Sequence, residues 1–189
     1  MFTFIPNFIP MKKYLSLVVI FLLSCQNPVS NQSNYRNDFN PEEVKIMQAA
    51  RNIIEGAYYG SLISLDKNMQ PKARIMEPFK PDEHFVIYLA TTPKSRKVLE
   101  IKNNPKTTLH YFDKERVGYV SLMGKAFIEN DTVVKHKLWK AGWERFYKNQ
   151  DDDYVIIKFV PNYLELISIP EGFTGNEETW KPSKVSLVK

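Results

Sequence analysis

Residues 107–129, TTLHYFDKERVGYVSLMGKAFIE, decide the fold class of this chain. In their second half Val120, Leu122, Gly124, Ala126 and Ile128 alternate with Tyr119, Ser121, Met123, Lys125 and Phe127. That is the period-two pattern of a strand, Val117 to Glu129, with one face in a core. Thr107 to Asp113 precedes it as another strand, joined by the polar turn Lys114-Glu115-Arg116; so short a link makes the two antiparallel neighbours. The face carrying Tyr119, Met123 and Phe127 mixes polar and large apolar residues, which suits a surface that a partner or ligand covers.

Working outward, Tyr59 to Asp66, Lys72 to Phe79 and His84 to Thr91 are read as three further strands, separated by polar, proline-containing breaks and arranged as a meander. Tyr154 to Val160 and Tyr163 to Ile169 follow late in the chain, parted by Pro161-Asn162. Helices enter singly. Asn40-Pro41-Glu42-Glu43 supplies an N-cap, a first-turn proline and a capping acid ahead of the stripe Val44, Met47, Ala50, Ile53, Ile54 and Ala57. Thr92-Pro93 opens a short helix that Asn103-Asn104-Pro105 ends, and Asn130 to Tyr147 shows helical spacing. About seven antiparallel strands with inserted helices give a mainly β fold with α elements, a small barrel. The tail from Pro170, residues 170–189, has no strong pattern.

Composition narrows the function classes. With 43% hydrophobic and 25% charged residues the 189-residue chain is that of a folded domain. It has neither common Gly-rich phosphate loop, which sets aside P-loop NTPases and dinucleotide-binding enzymes of the Rossmann type. Its one cysteine and three scattered histidines argue against a disulfide framework and a zinc site. The net charge of +5 includes Lys12 and Lys13 of the leader, so the mature chain is weakly basic and nucleic acid is not an expected partner.

From Met11 two lysines, an apolar run and Leu22-Leu23-Ser24-Cys25 read as a secretory signal ending in a lipobox. Residues 1–24 are expected to be removed and Cys25 to carry lipid, placing the protein in the cell envelope on a membrane. The alternative is an uncleaved anchor or a buried helix. Residues 25–40, rich in Asn, Gln and Ser, read as a flexible tether.

The helix starting at Pro93 carries Lys94, Arg96 and Lys97 in its first turn, against the helix dipole. An anion such as phosphate docking there, on free N–H groups and the hydroxyls of Thr91, Thr92 and Ser95, would resolve the conflict, with Arg74 adding a contact. A solvated basic face is the other reading, and the residues alone leave both open. An Arg74–Glu77 ion pair is the simpler account of Glu77. No metal site and no nucleophile–base arrangement is legible, and His84, His110 and His136 read as structural or surface residues.

Ser95-Arg96-Lys97, Asn104-Pro105, Gly124-Lys125-Ala126 and the Leu138-Trp139 helix, in this order and spacing, resemble the pyridoxamine 5′-phosphate oxidase-like flavin-binding split barrels, in particular their general-stress-protein branch. The resemblance runs from about Glu43 to Ser168. It implies a split barrel of six to seven strands over residues 41–169 and a homodimer with FMN between protomers. It further implies phosphate ligands Arg74, Thr91, Arg96 and Lys97, with Thr92 and Ser95 as secondary donors. The flavin ring is implied to rest on the Val117–Lys125 strand near Tyr119, with Trp143, Phe146 and Tyr147 as covering aromatics; the other reading of these three is helix core, which periodicity favours for Trp143. Leu164-Glu165-Leu166-Ile167 lacks the aromatic that related chains often carry, and no Arg or His follows Ile169, so vitamin B6 oxidation is not expected. What remains is an FMN-dependent oxidoreductase acting on an unknown small molecule, a non-catalytic binder of flavin or haem, or a structural lipoprotein.

Overall fold

The computed structural model describes residues 38–188. The signal segment, Cys25 and most of the expected tether lie outside the described residues. The tether reading ends sooner than expected: Phe39 is buried in the core, and Asn40 is already the N-cap of α1 (Pro41–Ala57). Its side chain accepts from the N–H groups of Glu42 and Glu43, while the Glu43 carboxylate accepts from the Asn40 N–H at 2.9 Å. The capping signal in the sequence therefore forms as read.

Strands β1 (Gly60–Leu65), β2 (Pro71–Met76), β3 (Ile87–Thr91), β4 (Lys106–Asp113), β5 (Gly118–Glu129) and β6 (Val155–Ser168) form one antiparallel sheet in the order β2-β1-β4-β5-β6-β3. The chain just past β2 meets β3 through the Pro78–Leu89 bridge and a Phe79 N–H to Tyr88 carbonyl bond of 2.8 Å. That contact closes the sheet on itself as a small split barrel. The expected meander of three strands is corrected here: β3 pairs along its length with β6, and touches the β2 chain only at the seam.

Inward-facing Leu62, Leu89, Leu109, Val120, Leu122, Ile157 and Leu166 fill the barrel, and the buried face of α1, with Ala50 and Ile53, packs against them. The β4–β5 hairpin follows its sequence pattern residue by residue, from Lys106 opposite Lys125 to Asp113 opposite Gly118.

Other departures have local physical causes. Pro161-Asn162 does not split the last strands; β6 runs through them, and the β5–β6 register shifts between Met123 and Gly124 to accommodate the extra residue. A proline without an N–H is tolerated at such a bulge. The expected helix of Asn130 to Tyr147 is only α3 (Thr132–Lys137) followed by a 3₁₀ turn (Trp143–Arg145). α3 ends at its C-cap Leu138, and Gly142 at φ 91° starts the 3₁₀ turn as its N-cap. The apolar residues of that stretch gather instead with Tyr154: Trp139, Trp143 and Tyr147 have ring centroids 5.2–5.9 Å from it. The last segment also folds. β7 (Ser183–Ser186) pairs with the second half of β6, and Val185 and Leu187 join the core, so the domain runs past Ile169.

Candidate functional site

The helix α2 (Arg96–Asn103) starts later than Thr92-Pro93 suggests. Pro93 and Lys94 lie in a preceding turn closed by the Ser95 N–H on the Thr92 carbonyl at 3.0 Å. Exposed Lys94 is thereby outside the first helical turn, whereas Arg96 and Lys97 remain within it. No acid balances them there. Ser95 is the N-cap but makes no side-chain capping bond. Its hydroxyl turns to Thr91 at 3.2 Å and to the Lys97 ammonium at 3.4 Å, and Lys97 also donates to Thr91 Oγ1 at 3.0 Å.

Arg74 reaches the same place from β2, where alternation points it inward. Its guanidinium donates to Ser64 Oγ and to Glu100 Oε2, each at 2.6 Å. Glu100, one turn along α2 from Arg96, is 4% exposed and is the hub of the cluster. Ser64 donates to it at 2.5 Å, and Arg96 Nε lies 2.9 Å from its other oxygen, an ion pair without hydrogen-bond alignment. Burial alone would push the Glu100 carboxyl up; bonds from Ser64 and Arg74, with the nearby guanidinium charges, outweigh it and hold the group below the usual carboxylate range. For Lys97 burial comes first and Arg74 and Arg96 add to it, so its ammonium loses its proton more easily than an ordinary lysine despite Glu100.

Two guanidinium groups thus meet one carboxylate near the start of α2, with the Lys97 ammonium beside them on Thr91 and Ser95, leaving a surplus of two positive charges, partly out of solvent. The structure brings Arg74, Thr91, Ser95, Arg96 and Lys97 together. Thr92 borders them on the exposed turn. Tyr119 does not join them within one chain: it lies on the outer face of β5, its ring 5.5 Å from that of His110. Trp143 is not a helix-core residue, since its 3₁₀ turn packs it against Phe79 at 5.8 Å and into the Tyr154 cluster. Glu77 is not the partner of Arg74; it pairs with Lys140 at 2.8 Å. Sequence reading missed Glu100 and Ser64. The Arg96–Glu100 spacing of four on a helix was the available signal for the first; nothing local marked the second. Among the described residues no group of His, Cys, Asp and Glu has a metal-binding arrangement, and no helix is long and apolar enough to cross a membrane.

A family model of pyridoxamine 5′-phosphate oxidase-like proteins matches residues 45–166. General stress protein 26 of Bacillus subtilis (strain 168) is 32% identical over 136 residues, which is 70% of this chain and 94% of the relative. The crystal structure of general stress protein 26 from Bacillus anthracis str. Sterne superposes with a TM-score of 0.56 at 32% identity, covering 65% of this chain and 93% of that one. A pyridoxamine 5′-phosphate oxidase-related, FMN-binding protein from Nostoc punctiforme shares the fold with a TM-score of 0.56 at 12% identity, over 78% of this chain and 97% of its own.

Proposed function

This chain belongs to the pyridoxamine 5′-phosphate oxidase-like family, and from that premise we propose that it binds FMN with the phosphate on Arg74, Arg96 and Lys97. The observation that carries this reading is the gathering of three cations from β2 and α2, Arg74 and Arg96 on the buried Glu100 carboxylate and Lys97 beside them on Thr91 and Ser95. A phosphate monoester brings close to two negative charges at neutral pH, which matches the surplus. Arg74, already oriented by Ser64 and Glu100, presents a fixed guanidinium, while Thr91 and Ser95 keep the Lys97 ammonium aimed at the helix start. Thr92 is a secondary donor at the rim. The fit is with a phosphate group; a relative that shares the fold is described as FMN-binding.

The second half of the reading is a homodimer. Ile75, Phe112 and Phe127 are 68%, 59% and 48% exposed on the outer face of β2, β4 and β5, the face that also carries Tyr119. A second copy would cover this face, and Tyr119 and, from the covering aromatics, Trp143 are the residues that would hold the flavin ring. Flavin bound here would supply redox chemistry, and the activity proposed is that of an oxidoreductase toward a small molecule. The chain contributes the phosphate clamp, ring orientation and exclusion of water.

Lipidation at Cys25 holds the domain to a membrane of the cell envelope. Fatty-acid labelling of the full chain tests this part: label lost in Cys25→Ala supports it, and equal label in both proteins removes it.

Comparison of FMN with riboflavin, which lacks the phosphate, tests the clamp. Lys97→Ala is expected to weaken FMN by about one to two decades in dissociation constant, as for loss of a charge-assisted hydrogen bond, with riboflavin unchanged. Equal loss of both ligands, or no loss of either, overturns the assignment.

A further inference from the structure

Strand register lays one row of side chains across the outer face of the sheet: Ile75, Ser61, His110, Ser121, Glu165 and Lys184, each directly opposite the next. Residues directly opposite in antiparallel strands share a face, so His110 stands on the same face as the exposed Ile75. Phe112 follows two residues along β4, and the Tyr119 ring lies 5.5 Å away. An ionisable group is thus set inside the apolar surface that a second copy would cover.

The surroundings of His110 suit a neutral ring. Its Nδ1 lies 2.8 Å from Ser121 Oγ, and the Ser121 side chain makes no other hydrogen bond among the described residues. The bond is complete when the hydroxyl donates and Nδ1 accepts. Protonation puts a hydrogen on Nδ1; Ser121 must then accept, and its own hydrogen needs an acceptor elsewhere. Burial within the single chain already holds the imidazole below its ordinary value.

The charged groups of this face do not favour a cation either. Glu165, beyond Ser121 in the row, lies 3.9 Å from Lys184. Lys106 and Lys125 stand opposite each other toward the other end of the β4–β5 pair, and Tyr119 brings a phenol. A protonated His110 adds one more positive charge to three ammonium groups and one carboxylate. In the free chain water solvates that charge. A covering copy removes the water and brings the same set of charges with it.

We propose that His110 makes the homodimer acid-labile: the two outer faces pair while its ring is neutral and separate as the ring takes up a proton. This rests on the homodimer reading above and does not require bound flavin. The sign follows from linkage, since the free chain binds the proton more readily than the dimer and falling pH draws the equilibrium toward it. The effect is absent above the ordinary imidazole value of about 6.5 and grows below it.

The test is sedimentation of the purified protein over a concentration series at about pH 8 and about pH 5.5, on either side of that value. The wild-type dimer is expected to dissociate at least about tenfold more readily at the lower pH. His110→Gln is expected to hold one dissociation constant at both, while His84→Gln and His136→Gln, outside the sheet face, follow the wild type. A wild-type dimer indifferent to pH, or a His110→Gln variant that still responds, overturns the inference and leaves the homodimer reading standing. A monomer at both pH values overturns that reading, and the inference with it. Should His110→Gln fail to fold, the His110 ring resonances of the wild type are titrated by NMR in dilute and concentrated samples: a lower value in the concentrated sample supports the inference, and equal values overturn it.

Discussion

Glu100 shows how much of the site rests on one side chain. Its carboxylate is nearly out of solvent and holds Arg74, 16% exposed, at 2.6 Å. Removing one member of such a pair leaves the other charge buried and uncompensated. Glu100→Ala is therefore expected to lower stability by about 3–5 kcal/mol, read from urea unfolding at neutral pH. Because the folded state holds the Glu100 carboxyl below its ordinary value, its contribution is complete above the unfolded value of about 4.3 and disappears as pH falls through the lower folded one. Glu100→Gln, with nothing to titrate, is expected to show a smaller loss of unfolding midpoint than the wild type across that acid window. Lys97 gives the opposite sign on the alkaline side. Its ammonium is depressed by burial and by Arg74 and Arg96, so binding a phosphate favours its protonated form. FMN affinity is expected to decline, with rising pH, below the range where an ordinary lysine titrates, and Lys97→Arg to remove that decline in a fluorescence titration.

At the scale of elements, Gly124 explains why a glycine stands in the strand that decides the fold. A Cβ there would lie 2.1 Å from the Val160 carbonyl oxygen and 2.5 Å from the Pro161 Cα, both backbone atoms of the β6 bulge. Neither can rotate away. Gly124→Ala is expected to cost at least about 1–3 kcal/mol, the range for overpacking a tight site, measured as a lowered thermal midpoint. The same contact shows what was legible in the elements. The alternation of residues 118–129 predicted β5 because burial on one face is written into every second residue. The bulge was not legible, since Pro161-Asn162 reads identically as a turn or as a kink in a continuous strand until β5 is placed beside it. The helix over residues 130–147 failed for a related reason: Leu138, Trp139, Trp143 and Tyr147 are spaced for a helix face, yet they reach Tyr154 better from a broken one.

For the whole molecule, the outer face of the sheet is the feature with the largest consequence. Ile75, Phe112 and Phe127 stand well exposed in a chain whose other apolar strand residues are mostly inside. A face of this kind marks an interaction surface. Light scattering is expected to find a dimer at micromolar concentration, and Phe112→Glu to give a folded monomer with weakened FMN binding. A wild-type monomer that still binds FMN would separate the phosphate clamp from the interface.

The sequence by itself determined the fold class, the start of α1, the β4–β5 hairpin and the gathering of basic residues near the α2 start. Each depends on periodicity or capping, which act over a few neighbouring residues. Only the tertiary structure decided which carboxylate orients Arg74, because Ser64, Arg74 and Glu100 belong to β1, β2 and α2 and meet through sheet register and helix docking. It likewise decided that β3 closes the barrel beside β6, that the last residues add β7, and that Tyr111 faces inward without a partner. These outcomes turn on the pairing of distant segments, whose energy comes from shared burial and not from any local pattern of residues.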